Sequence, residues 1–318
     1  MTSPALSVCL PADRAETIHD VVACLAAQDE HEQIELVVVT DGDAGAIEAA
    51  LPRNVFAGIR VVTVPDLSSL GAARGAAVRA AGAQILVLGE THSYPEAGWA
   101  AALIERHQEP WAVVGPSMEC ASSGSGLAWA GLLMDYGPWV ERRTSLAMDD
   151  VPAHNGCYKR HVLLAFGEAL EEALAADQVL NELIRTAGGP MFLESRARTR
   201  HLNVGRLGPF LSERFHSGRM FAVARSAQWS RPRRLAYALA WPLIPAVRAV
   251  RIGGHLRRMR RLGSLGPRIA LPFLLGLPAS ALGEGVGYVL GTGGAPQAVY
   301  EFELHRTAYA SPPLLPTA

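Results

Sequence analysis

Short apolar runs at 6–10, 34–39, 59–64 and 85–88 alternate with segments whose apolar residues recur at helical spacing. That alternation leaves few folds open, because strand–helix–strand units of this length build a parallel, doubly wound sheet. Between the first two runs, 16–27 places Ile18, Val21, Val22 and Leu25 on one helical face. Segments 46–51, 70–81 and 99–107 supply the next helices, and 111–114 a fifth strand. A dinucleotide-binding sheet would need Gly-x-Gly-x-x-Gly after its first strand, so that backbone can approach a pyrophosphate. Here the turn is Leu10-Pro-Ala-Asp-Arg14, without glycine, which disfavours an NAD or FAD site.

The run 85–88 stops at Gly89, and Glu90 and His92 follow one residue apart, with Pro95 and Trp99 beyond. Open α/β sheets bind ligands at the carboxyl ends of their strands. Alternate residues leaving a strand point the same way, so Glu90 and His92 can reach one ion. The plain alternative is a solvated loop after a core strand.

A chain of 318 residues fits one large α/β domain with an appendage. Hydrophobic residues make up 49% and charged ones 19%, with mean hydropathy +0.15. That is apolar enough to suggest a membrane-facing part. The net charge of −1 hides an asymmetry. Residues 1–195 hold 26 acidic and 11 basic residues, whereas 196–268 hold 17 arginines and one acid, Glu213. An Arg-rich segment of this kind meets phosphate, either lipid headgroups or nucleic acid. Cys9, Cys24, Cys120 and Cys157 are scattered and form no Cys-x-x-Cys, so free thiols in a reducing compartment are expected. No basic region followed by an apolar core opens the sequence, and no uninterrupted apolar run of about 20 residues occurs. The expectation is therefore no signal peptide and no clear transmembrane helix.

Four blocks together resemble family 2 glycosyltransferases. That family's first strand ends in Pro before a polar loop, and its second ends in Asp-Asp-Gly-Ser, where this chain has Thr40-Asp41-Gly42-Asp43. Its Gly-x-x-x-Arg-Asn-x-Gly helix is matched by Gly71-Ala-Ala-Arg74-Gly75-Ala, and its Asp-x-Asp by Glu90-x-His92, with Pro95 and Trp99 in the following places. Pro152-Ala-His154-Asn155-Gly-Cys-Tyr-Lys159-Arg160 resembles its acceptor-side loop. The stretch Ala176-Asp177-Gln178 to Gly188 resembles its Glu-Asp-x-Asp-Leu helix. The departures are Thr40 for Asp, Gly75 for Asn, Glu-x-His for Asp-x-Asp, His154 for Gly and Ala176 for Glu.

The resemblance implies an A-type nucleotide-diphospho-sugar transferase fold with a mostly parallel central sheet over 1–205. A basic, amphipathic helical region over 206–310 and a disordered tail over 311–318 would follow. It implies transfer of a sugar from a nucleotide-diphosphate sugar to an acceptor hydroxyl, with inversion. Asp177 would be the base, which is compatible with a helix cap because the helix dipole keeps a carboxylate there ionised. Pro11, Asp13, Asp41, Arg74 and Glu90 would bind the donor, and His154 and Asn155 would face the acceptor. A divalent metal, Mn²⁺ or Mg²⁺, would be held by Glu90 and His92 with His201 as third ligand; carboxylate with imidazole suits borderline ions. The loss of Asp-x-Asp also admits a non-catalytic relative that only binds sugar nucleotides or glycans.

From Arg231 onward the chain turns amphipathic. Leu235, Leu239, Trp241, Leu243, Ile244 and Val247 alternate with Arg233, Arg234, Arg248 and Arg251. Such a pattern suits a helix in a membrane interface. Segment 269–283, apolar and broken by two prolines, reads as interfacial, re-entrant or a core hairpin. Without regularly interleaved aromatics a single-strand nucleic-acid groove is disfavoured, so no nucleic-acid partner is expected. The expected partners are the donor, a lipid-linked or membrane-associated glycan acceptor of the cell envelope, and an anionic membrane surface. The expected location is cytoplasmic, peripheral at the inner face of the cell membrane.

Overall fold

The structure is a computed structural model and describes residues 3–310 apart from 66, 68 and 176; the side chains at 177 and 178 also lie outside the described part. The tail expected over 311–318 falls outside it too. The described chain runs β1 (Leu6–Pro11), α1 (Ala15–Ala26), β2 (Ile34–Thr40), α2 (Ala44–Ala50), β3 (Gly58–Thr63), α3 (Leu70–Ala80), β4 (Ile85–Leu88), β5 (Ser93–Pro95), α4 (Trp99–Arg106), β6 (Val113–Cys120), α5 (Gly126–Tyr136), β7 (Leu146–Met148), β8 (Cys157–Lys159), α6 (Arg160–Leu164), α7 (Leu170–Leu174), α8 (Asp177–Thr186) and β9 (Met191–His201). Helices α9 (Leu207–Arg225), α10 (Arg231–Leu239), α11 (Ile244–Arg258), α12 (Leu262–Leu290) and α13 (Ala295–Leu304) complete it.

Two compact units result: Met1–Glu119 with Glu141–His201, and Cys120–Val140 with the chain from Leu202 onward. The first holds a mixed sheet of order β3-β2-β1-β4-β8-β6-β9-β5, with β7 beside β9. Strands β3, β2, β1 and β4, the four read from the apolar runs, are parallel. β1, β2 and β4 are buried along their whole length, as strands of a sheet covered on both faces are, whereas β3 at the edge is only half-buried and carries Arg60. β8 runs antiparallel to both β4 and β6. The fifth strand does not stop at 114. It continues through Gly115-Pro-Ser to Cys120, past the end of the apolar run. Small residues read as loop, yet here they let the strand run beside its neighbours.

Helix α1 buries Ile18, Val21, Val22 and Leu25, the four residues its periodicity nominates. Helix α3 starts at a Ser69 cap, whose hydroxyl accepts from the Ala72 amide at 3.2 Å. After α4, His107 is buried and its Nε2 lies 3.1 Å from the Cys157 carbonyl of β8. Burial pushes its pKa down to about 4. The unfolded chain protonates this imidazole near the ordinary value of about 6.5. Stability from His107 is therefore complete above that pH and lost as pH falls toward 4, by about 3 kcal/mol in all. Urea denaturation of wild type and His107→Gln at pH 7 and pH 4.5 checks this. The stability difference between the two pH values should shrink by 2 kcal/mol or so in the variant.

In the second unit α9 and α12 lie backbone to backbone. A Cβ at Gly283 would strike the Phe215 carbonyl, and one at Gly287 the Arg219 carbonyl. Arg214 of α9, buried, reaches Asp135 of α5 at 2.5 Å and pairs with Glu213. Arg248 of α11 reaches Glu284 of α12 at 2.5 Å. Segment 269–283 is thus neither hairpin nor re-entrant loop: it lies inside one helix of 29 residues that contains Pro267, Pro272 and Pro278. Each proline deletes one backbone hydrogen bond, but packing on α9, α10 and α11 holds the helix across them. By length and composition alone α12 is apolar enough to cross a membrane, a test that a packed core helix also passes.

Candidate active site

Glu90 leaves the end of β4 and is 5% exposed, while His92 is fully buried. From the next residue, β5 pairs antiparallel with β9, with Ser93 opposite His201. That pairing delivers the last residue of β9 beside His92. The two rings stand edge to face, 4.8 Å apart at 82°. His201 Nε2 is 3.4 Å and His92 Nε2 3.8 Å from Glu90 Oε2. The three offer ligand atoms within 4.8 Å of one another, all buried.

β8 builds the other wall. Its pairing with β4 places Asn155 against the Leu88 carbonyl, to which its backbone amide donates at 2.8 Å. Asn155 sits at φ +60, a left-handed conformation that Asn tolerates better than most residues. Its Nδ2 donates to Glu90 Oε2 at 2.7 Å and to Ser93 Oγ at 3.0 Å, and Ser93 Oγ donates to the same Glu90 oxygen at 2.7 Å. The other oxygen, Oε1, is 2.6 Å from His154 Nδ1. That nitrogen is also 2.9 Å from Nη2 of Arg74, a buried residue of α3 whose Nη1 donates to the Leu174 carbonyl at 3.3 Å. Nδ1 can donate to Glu90 or accept from Arg74, and not both at once.

Burial works against ionising Glu90. His154, His92 and His201 together outweigh it and hold the carboxyl well below the usual carboxylate range. A dianionic ligand charge is absent, but one ionised carboxylate and two imidazoles form a set suited to a borderline divalent ion. His92 Nδ1 lies 3.3 Å from the Thr91 hydroxyl. With its proton there, Nε2 carries the lone pair on the Glu90 side, the arrangement in which metal-bound imidazoles are oriented by an outer partner. The residues fit a metal.

The donor-side residues lie at the carboxyl ends of neighbouring strands. Pro11 closes β1 and is buried, Asp13 follows it and accepts from Thr17, and Asp41 is exposed just past β2. Thr40, which stands where the family carries Asp, is buried and accepts from the Gly42 amide at 2.9 Å. A Cβ at Gly42 would strike the Asp13 carbonyl, so the two loops touch only because position 42 is glycine. Asp177 is the first residue of α8, and its side chain lies outside the described residues. The structure therefore gathers Arg74, Glu90, His92, His154, Asn155 and His201 into one network. Ser93 was missed by sequence reasoning. Its place three residues after Glu90 in the same loop is the one signal that could have pointed to it.

The parallel strands, the ligand-capable pair at the end of β4 and the arginine of α3 define an A-type glycosyltransferase. The family model described as "Glycosyl transferase family 2" matches residues 7–165, half of the chain, and the chain belongs to that family. Among solved structures, the mannosyltransferase PcManGT from Pyrobaculum calidifontis, in complex with GDP-Man and Mn²⁺, is similar over 91% of this chain and 88% of its own, at 15% identity and TM-score 0.58. Residues 1–349 of S. aureus TarS in complex with UDP align over 88% of this chain and 90% of their own, at 16% identity and TM-score 0.46. No curated protein matches the sequence.

Asn155→Ala removes a neutral donor from a buried carboxylate. Losing an outer-shell partner of this sort weakens metal binding by roughly 10–100-fold. Titration with Mn²⁺ in the presence of a nucleoside diphosphate should show that loss, and Ser93→Ala a smaller one.

Proposed function

We propose that this glycosyltransferase moves a sugar from a nucleotide-diphosphate sugar to a hydroxyl of a lipid-linked or membrane-associated glycan, with inversion, at the cytoplasmic face of the membrane. The observation that carries the donor half is the buried Glu90–His92–His201 group at the carboxyl end of β4. Its three side chains would hold Mn²⁺ or Mg²⁺, leaving positions for diphosphate oxygens, as is usual where hard cations bind through substrate phosphates. The ion, when bound, would supply Lewis-acid stabilisation of the leaving diphosphate. Arg74, Pro11, Asp13 and Asp41 line the donor. Asp177 accepts the proton of the acceptor hydroxyl as that oxygen attacks the anomeric carbon from the face opposite the diphosphate. His154 and Asn155 stand on the acceptor side and fix Glu90 from behind. The membrane acceptor is supported by the block of 17 arginines against one acid over 196–268.

A thermal-shift screen of nucleotide sugars, with Mn²⁺, with Mg²⁺ and with chelator, tests the donor half. A ligand that binds only the folded chain raises the melting point, by an amount equivalent to about 2.7 kcal/mol at a hundred times its Kd. At least one nucleotide sugar should do so in a metal-dependent way. Failure of every nucleotide sugar under all three conditions would remove the reading.

A further inference from the structure

We infer that the outward faces of α10, α11 and α12 form a docking surface for an anionic lipid bilayer, on which the chain lies flat without crossing. The inference rests on the membrane-acceptor reading above for its purpose, and on separate observations for its geometry. Between Glu213 and Glu284 the sequence holds no Asp or Glu but carries thirteen arginines, ten of them from Arg231 to Arg268. Within this stretch exposed apolar residues recur every three or four positions through α10, the turn after it and α11, which bend by 47° at the break. Leu235, Leu239, Leu243, Val247 and Val250 are 53%, 75%, 68%, 50% and 76% exposed.

On α11 the two sides are clear. Ile252 and Leu256 are buried and Arg248 turns inward to Glu284 and Ser280. Val247, Val250, Arg251, Gly254 and Arg257 fall on the opposite arc at 100° per residue, whereas Arg258 turns back and donates to the Gly137 and Val140 carbonyls. Valines and arginines therefore share one exposed face. Arginine stems can lie along hydrocarbon while the guanidinium groups stay at headgroup level, which is how amphipathic side chains behave at an interface. α12 adds Leu271 and Leu274, exposed 63% and 70%, with Val289 and Leu290 at its far end.

The same helix argues against a span. Its inner face is committed to α9 by the backbone contacts at Gly218, Gly283 and Gly287, and to α11 by the Arg248–Glu284 pair. α9 carries the buried Glu213 and Arg214. Placing α12 across the hydrocarbon would drag these charged neighbours with it, at high cost. Only the outer side-chain layer is left for lipid. Charge selects the partner: the face is uniformly positive, and phosphate headgroups beside acyl chains match its mixture of arginine and aliphatic side chains.

The test uses the full-length protein and reads binding, not sugar transfer, so it and the donor reading can fail independently. Co-sedimentation with phosphatidylglycerol-containing vesicles, with phosphatidylcholine vesicles and with poly(U) RNA is compared at low and high salt. The protein should pellet with the anionic vesicles, and more weakly as salt shortens the Debye length toward about 3 Å at 1 M. Alkaline carbonate should release it. Arg251→Glu with Arg257→Glu should weaken binding by roughly ten-fold or more. Leu239→Ser with Val250→Ser should weaken it while leaving the salt dependence intact. No pelleting with anionic vesicles at low salt overturns the proposal. So does preferential binding of RNA, which would make this a nucleic-acid surface, and so does retention through carbonate, which would make α12 a span. Circular dichroism of each variant separates lost binding from lost folding.

Discussion

His92→Ala should abolish metal-dependent donor binding. In the thermal-shift assay the variant's melting point should no longer rise when Mn²⁺ is added with the nucleotide sugar that stabilises wild type. Glu90 and His201 would remain, but a three-point protein set would become two. Removing a ligand costs more than removing an outer partner, so the loss should exceed the roughly 10–100-fold expected for Asn155→Ala. Imidazole must be deprotonated to bind a cation, so wild-type affinity should fall on acidification. His92→Asp should extend binding to lower pH, because a carboxylate gives up its proton more readily. A His92→Ala protein that binds donor with undiminished metal dependence would show that the pair is a structural loop.

Asp177→Asn should leave donor binding nearly intact and lower turnover by roughly 10²–10⁴-fold, the range general base catalysis contributes. The substitution keeps shape and removes the proton acceptor. If Asp177 only caps α8, Asn is almost as good a cap as Asp, and both turnover and melting point would be those of wild type. Measuring kcat and donor Kd on the same preparations distinguishes the two outcomes. A drop in kcat with unchanged Kd assigns the proton transfer; unchanged kcat removes Asp177 from the chemistry.

Much of the sheet is written locally. Strands β1, β2 and β4 are short apolar runs separated by helical periodicity, and a central parallel strand buries both faces, so its sequence alone marks it; β3, at the edge, is half-buried and shows in the sequence more weakly. Glu90 and His92 were visible for the same reason, since they stand where such a run stops. What brings His201 to them is the β5–β9 pairing, and a three-residue strand such as Ser93–Pro95 has too little periodicity to announce itself. The reach of Arg74 to His154 depends on how α3 packs, and no local pattern encodes it. The extra length of β6 was hidden by Gly115 and Pro116, residues that read as loop. α12 was misread because three prolines outweigh propensity in a local window, whereas the packing of Gly283 and Gly287 on α9 decides the matter at long range.

On the proposed mechanism two imidazoles and one carboxylate hold a divalent ion beside the donor diphosphate. Pulsed electron paramagnetic resonance on the protein with Mn²⁺ and a nucleoside diphosphate reads the ligands directly. The spectrum should show nitrogen modulation from two imidazoles together with phosphorus coupling from the nucleotide, and loss of one nitrogen contribution in His201→Ala. Bound Mn²⁺ with phosphorus coupling and no nitrogen, or no protein-bound Mn²⁺ in the presence of nucleotide, would contradict it.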